Sequence, residues 1–241
     1  MKERARSFDE VAALYAAARP DYPAEALAWL LPAGALRVLD LGAGTGKLTR
    51  QLVDNHLDVV AVEPSPDMGA ELSAYVPEAE LHQGGAEAIP LPDGSVDAVL
   101  VGQAFHWFDH ERALPEIARV LRPHGRLGLL WNFDDDSVPW VAAFATATGT
   151  TARANQREPA VNPGARFIDA AIAEFPHRQV VDAESLQQLV QTHSFYLVQD
   201  EQGRAEVVRR VDEVVSSHPD LVGRESFELP YVTRCWRATR R

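Results

Sequence analysis

A short apolar run, Val38-Leu39-Asp40-Leu41, passes directly into three glycines at alternate positions, Gly42-Ala43-Gly44-Thr45-Gly46, and then into Lys47-Leu48-Thr49. Few folds accommodate that order, because it asks for a buried strand, a tight backbone turn and a helix in immediate succession. Glycine lets the backbone approach a ligand where a Cβ would collide, and the helix start offers unpaired N–H groups beside it. The loop is therefore expected to hold an adenosine-containing cofactor, with a plain tight turn as the alternative. Counting from Gly42, the third glycine of a dinucleotide fingerprint falls on Lys47, which weakens a nicotinamide reading. Lys47 is followed by Leu48, so the phosphate loop of nucleoside triphosphatases is excluded.

Around this loop, short β-branched or leucine-rich runs alternate with amphipathic stretches, the pattern of a parallel α/β sheet. The strands are expected at Arg37–Leu41, Asp58–Val62, Glu80–Gln83, Val96–Val101 and Arg126–Trp131. Leu48, Leu52 and Val53 give the first crossover helix its apolar face, and Met68, Leu72 and Tyr75 are expected to do so for the second. Arg112–Leu121 reads as a further helix through Leu114, Ile117, Ala118 and Leu121, with Asp109 as its cap. Ahead of the core, Phe8–Leu31 reads as two helices separated by Arg19-Pro20-Asp21-Tyr22-Pro23. Beyond it, helical spacing is found at Ile168/Ala171/Ile172/Phe175, Leu186/Leu189/Val190 and Val208/Val211/Val215, and alternation over Glu228–Ala238 predicts a late strand. Thr150–Gly164 is the expected loop.

A carboxylate stands nineteen residues after Gly44: Glu63, at the end of the second strand in Val62-Glu63-Pro64-Ser65-Pro66. At that spacing it can accept hydrogen bonds from both hydroxyls of a ribose, each worth about 1.5–3 kcal/mol. Composition narrows the partners. The 241-residue chain carries a net charge of -12, so it lacks the basic surplus that neutralises phosphates, and no nucleic-acid partner is expected. Cys235 is the only cysteine, which excludes an internal disulfide and paired-cysteine zinc sites and fits a reducing cytoplasm. No run approaches the roughly 18 apolar residues of a membrane span, so the expected setting is cytosolic, with no membrane partner.

Four segments in order, LDLGAGTGKLT, VEPSPDM, GGAEAIPLPDGSVDAVLVGQAFHWFD and EIARVLRPHGRLGLLW, resemble the successive motifs of class I S-adenosylmethionine-dependent methyltransferases. FDEVAALYAAARPDYP together with AFHWFD resembles a small-molecule subgroup related to trans-aconitate methyltransferases, and ELPYVTRCWRA is the one late stretch that matches. The resemblance implies a doubly wound, seven-stranded, mostly parallel α/β sheet with an antiparallel last strand, and S-adenosylmethionine as cofactor. It implies one domain over 1–241: a helical lid at 1–31, a cofactor core at 32–131, and acceptor-recognition helices with the final strand at 132–241. By the same resemblance Asp40, Gly42, Gly44 and Gly46 line the methionine half of the cofactor, Glu63 takes the ribose and Met68 covers the adenine. Ala86 and Glu87 border the adenine edge, Gln103 offers a backbone carbonyl to the cofactor amino group, and Tyr15 or Arg19 meets its carboxylate. Gly85 stands where many relatives carry an Asp for the adenine amino group, so Glu87 or a backbone carbonyl is expected to substitute.

Methyl transfer from a sulfonium needs a desolvated site and an aligned nucleophile more than a strong base. Gln103-Ala104-Phe105-His106-Trp107-Phe108-Asp109 follows the fourth strand, at the edge where open α/β sheets bind ligands. His106 is the candidate base or orienting donor, or else a loop-holding residue. Trp107 is a candidate wall for the sulfonium, and Phe108 is expected in the core. Trp131, Asn132 and Trp140, with Phe144, are expected to border the acceptor. Asp134-Asp135-Asp136 reads as a helix cap and solvated loop, and no metal site is expected. The chain lacks the [Asn/Asp]-Pro-Pro-aromatic tetrapeptide of nucleobase amino methylation after its fourth strand. The expected reaction is methyl transfer to a small molecule, at oxygen and possibly at a carboxylate. A nicotinamide oxidoreductase, and a non-catalytic binding module on the same fold, are the alternatives.

Overall fold

The computed structural model describes residues 19–150, 161–193, 196 and 198–241. The expected helix over Phe8–Tyr15 and most of the expected loop at Thr150–Gly164 lie outside the described residues. The elements run α1 (Ala24–Leu30), β1 (Arg37–Leu41), α2 (Lys47–Asp54), β2 (Asp58–Glu63), α3 (Pro66–Tyr75), β3 (Glu80–Gln83) and β4 (Val96–Gly102). They continue through α4 (His110–Val120), β5 (Leu121–Asp134), α5 (Pro139–Thr148), β6 (Phe167–Val181), α6 (Ala183–Gln191), α7 (Glu201–Ser217) and β7 (Phe227–Arg240). The strands form one seven-stranded sheet in the order β3-β2-β1-β4-β5-β7-β6, parallel through its first five members and with an antiparallel last strand.

The chain divides into two compact units. The larger contains residues of 21–132, 159–175 and 233–241, and the smaller the described residues of 1–20, 133–158 and 176–232. In the larger unit the central strands are buried on both faces: Val38, Leu39, Val60, Ala61, Val99 and Leu100 expose nothing. Such strands read as continuous apolar runs because no side faces water. Its core continues through Leu27, Leu30, Leu48, Leu52 and Cys235. In the smaller unit α5, α6 and α7 bury Phe144, Leu186, Leu189, Val207 and Val211 around Trp140, Leu229 and Tyr231.

Two readings of pattern are corrected. Ile168, Ala171, Ile172 and Phe175 belong to no helix; they lie on β6, where from Ala171 onward the half-buried positions alternate strictly with exposed ones. The inward row carries His177 and Gln179 while Ile172 and Val180 face out, so polarity and burial are out of step and the strand period is masked. Pro176, in mid-segment, is the residue that opposes a helix. The second correction concerns α3, which buries Gly69 and Leu72, whereas Met68 and Tyr75 are 45% and 42% exposed. Gly69 lets the helix come in close, since a Cβ there would stand 3.3 Å from Leu81 Cδ2.

β5 begins earlier than its apolar run, at Leu121, because Leu121 pairs with Val96 and the ladder resumes with Arg126 opposite Ala98. The intervening bulge holds Gly125, whose Cβ would fall 2.9 Å from the Arg122 carbonyl oxygen. α4 is capped as expected, with Asp109 Oδ1 accepting from the Glu111 N–H at 3.1 Å.

Candidate functional site

Parallel pairing puts Leu41 beside Val62, and the Val62 carbonyl then accepts from both Gly42 N–H (2.8 Å) and Ala43 N–H (3.2 Å). That continuation of the ladder carries the glycine loop over the end of β2. Gly44 N–H donates to Glu63 Oε2 at 2.8 Å, and Ser65 N–H donates to Glu63 Oε1 at 2.9 Å. Gly42, Gly44 and Gly46 all have positive φ, at 73°, 58° and 91°, which is where glycine avoids strain. Their surroundings differ. A Cβ on Gly42 would meet Ala104 Cβ at 2.9 Å and one on Gly46 would meet Leu72 Cγ at 2.9 Å, whereas Gly44 has nothing within 4 Å. Two glycines therefore serve packing, and the middle one leaves space beside the loop.

Asp40 is buried at the end of β1, and its Oδ2 accepts from Thr49 Oγ1 at 2.6 Å. Burial pushes its carboxyl up to about 7 against the pull of the Thr49 hydrogen bond, with the nearby Glu63 charge adding to the rise. Thr49 and Ser65 were not singled out from sequence, yet each fixes one of the two acidic groups. Tyr22 is a third such residue. Its backbone is held to α2 by Gln51, which accepts from Tyr22 N–H at 2.9 Å and donates to Tyr22 O at 2.8 Å. Its hydroxyl stands 2.8 Å from where a Gly102 Cβ would be. The next residue back, Asp21, pairs with Lys47 at 2.8 Å. The only signal in the sequence is the aromatic within Asp21-Tyr22-Pro23.

After β4, Gln103 takes a left-handed φ of 58°, donates its N–H to Leu130 O at 3.0 Å and its side-chain N–H to Asn132 O at 3.3 Å. The turn Phe105–Trp107 follows as a single 3₁₀ turn. His110 stabilises it by stacking on Phe105 at 4.3 Å and placing Nε2 3.0 Å from Phe105 O. Its tip is left exposed: Trp107 is 78% exposed, with the His106 ring 4.9 Å from the indole. Partial burial lowers the His106 pKa below its ordinary value, so the imidazole is neutral at pH 7. Phe108 is half-buried against the Gly42 position.

Glu87 Oε1 accepts from Asp109 N–H at 2.9 Å, and its Oε2 lies 3.1 Å from where a Gly85 Cβ would be. The Glu87 carboxylate thus occupies the space next to Gly85 into which a side chain there would grow. Ala86 is buried and Met68 half-exposed. Asn132 is engaged on both sides, donating to Asp21 O at 3.3 Å and accepting from Thr233 Oγ1 at 2.5 Å. Trp131 and Trp140, expected at the acceptor, are 5% and 4% exposed, and neither presents its ring to solvent. Trp140 packs on Phe227 at 5.3 Å and Phe144 at 6.4 Å inside the smaller unit. Arg19, also in that unit, donates to Thr192 Oγ1 at 3.0 Å and Thr192 O at 3.1 Å. Tyr15 lies outside the described residues. Asp135 Oδ1 accepts from Ser137 Oγ at 2.6 Å as a turn residue, and no metal-binding cluster occurs among the described residues.

The loop and its acidic partner fit an adenosyl sulfonium cofactor. Each Glu63 oxygen takes one backbone N–H and keeps a second lone pair for a ribose hydroxyl, while Gly44 leaves room for the ligand. Residues 39–129 match the model of the methyltransferase domain family. The chain is 44% identical to an uncharacterised methyltransferase of Mycobacterium tuberculosis over 99% of this chain and 97% of that one. It is 34% identical to an uncharacterised methyltransferase-like protein of Schizosaccharomyces pombe, over 95% and 93% respectively. A solved structure assigned as a type II methyltransferase from Anaeromyxobacter dehalogenans shares the fold, with a TM-score of 0.67, 21% identity, and coverage of 92% of this chain and 97% of that one.

Proposed function

The chain belongs to the class I S-adenosylmethionine-dependent methyltransferases, and from that premise we propose that it methylates a small-molecule acceptor at oxygen. The cofactor supplies a methyl group activated on a sulfonium. In this reading Glu63 binds the ribose, the glycine loop accepts the methionine half with Asp40 beneath it, and Glu87 takes over at the adenine edge. Gln103 and Met68 complete the cofactor's surroundings.

The observation that carries the oxygen reading is His106, exposed on the turn after β4, neutral at pH 7, with no hydrogen bond among the described residues. A neutral imidazole can receive the proton that an alcohol, phenol or acid must lose as its oxygen is alkylated. Trp107 beside it offers an aromatic face to a cationic centre. The acidity of the chain and the missing tetrapeptide support a small acceptor over a nucleic acid, and the resemblance to trans-aconitate methyltransferases keeps a carboxylate among the candidate acceptors. A cytosolic location belongs to the same reading; no described helix is long and apolar enough to cross a membrane.

The test is a panel of alcohols, phenols, acids and amines with a radiolabelled methyl donor. Oxygen acceptors should take up label, and His106→Ala should lower turnover while S-adenosylhomocysteine affinity stays the same. The acid limb of the wild-type profile should lie below the ordinary histidine value of 6.5 and vanish in His106→Ala. Turnover unchanged by the substitution would reduce His106 to a loop residue.

A further inference from the structure

β7 turns Tyr231 into the core of the smaller unit, where the residue is 3% exposed. Its ring stacks on His177 of β6 at 5.4 Å and 23°. Its hydroxyl is closed to solvent and has no hydrogen-bond partner among the described residues. A buried polar atom left in that state destabilises the fold, and such atoms are retained where a ligand or an ordered water completes them. The neighbouring strand end is next to it: Asp135 N–H donates to Pro230 O at 3.0 Å, which brings Asp134 of β5 alongside Tyr231 of β7. Asp134 and Tyr231 interact electrostatically, and Arg19 acts on both.

We infer that the smaller unit binds a neutral hydroxyl group of the acceptor between the Tyr231 phenol and the Asp134 carboxyl. The site asks for one lone pair and one proton. Burial, with the Asp134 charge adding to it, raises the phenol pKa well above its ordinary value, so Tyr231 keeps its proton and donates. Asp134, half-buried, accepts; desolvation lifts it to about 6, with Asp136 adding to the rise and Arg19 opposing it. An alcohol or phenol supplies both partners at a single atom. A carboxylate would bring a second negative charge against Asp134, which already draws on the Arg19 guanidinium. An ammonium has no lone pair for Tyr231.

This inference rests on the small-molecule reading and narrows its acceptor to a hydroxyl compound. Its first test needs no acceptor. In the full chain loaded with S-adenosylhomocysteine, Tyr231→Phe should unfold at the same temperature as wild type or higher. A clear fall would mean that the hydroxyl already has a partner and would overturn the site. The second test titrates matched probes calorimetrically: phenol against benzoate, and 1-octanol against octanoate. The hydroxyl member should bind about tenfold or more tightly, and Tyr231→Phe and Asp134→Asn should each abolish that preference. A preference for the carboxylate, one that survives both substitutions, or no binding by any probe overturns it. Hydroxyl preference without methyl transfer to any acceptor upholds the site and removes the small-molecule transfer reading, so the two fail separately.

Discussion

Asp40, buried at the end of β1, costs the fold stability once its carboxyl must ionise. Its folded carboxyl sits at about 7, against 3.8 for the free group, so the folded chain holds a proton that the unfolded chain releases. Stability from this group is therefore highest below about pH 4, declines as the unfolded carboxyl ionises, and levels off above pH 7, a loss on the order of 4 kcal/mol. Asp40→Asn keeps an acceptor for Thr49 and removes the penalty. It should raise the unfolding temperature at about pH 8 and make little difference near pH 4. A difference that is constant with pH would mean that Asp40 is ionised throughout. Asp40 and Glu63 were legible because a strand end and a fixed spacing mark them. Thr49, Ser65 and Tyr22 were not, since each acts through a hydrogen bond or contact that exists only in the folded backbone, and none belongs to a residue type that stands out.

Among the elements, α3 and β6 show where hydrophobic pattern and burial part company. Both contain apolar residues at helical spacing, and in both the structure buries a different set. On α3 the side that packs is the one a glycine permits, so Leu72 is enclosed while Tyr75 remains half-exposed. Leu72→Ala should cost about 2–5 kcal/mol in urea unfolding, and Tyr75→Ala within roughly 1 kcal/mol. Equal costs would contradict the observed face. The parallel strands β1, β2 and β4 were legible because burial on both sides leaves an unbroken apolar run. β6 was not, since His177 and Gln179 occupy its inward row while Ile172 and Val180 face outward.

At the scale of the whole molecule, the chain assigns its two kinds of recognition differently. The residues proposed to meet the cofactor lie on the larger unit, at the ends of β1 and β2, where strand order and glycine spacing announce them. The acceptor-binding role proposed for the smaller unit rests on Tyr231 and Asp134, and the phenol becomes notable only through its burial and the lack of a partner for its hydroxyl among the described residues. The net charge of -12 agrees with a small ligand, and methyl transfer should be insensitive to added DNA or RNA. Competition by either would contradict that view. Glu63, held by Gly44 and Ser65 with lone pairs to spare, is the residue on which the proposed cofactor binding turns. The direct measurement is calorimetric titration of S-adenosylhomocysteine into the wild-type chain and Glu63→Ala. Saturable binding, weakened by about 2 kcal/mol or more in the variant, is the predicted result; equal affinity for the two chains would place the ribose elsewhere and contradict it.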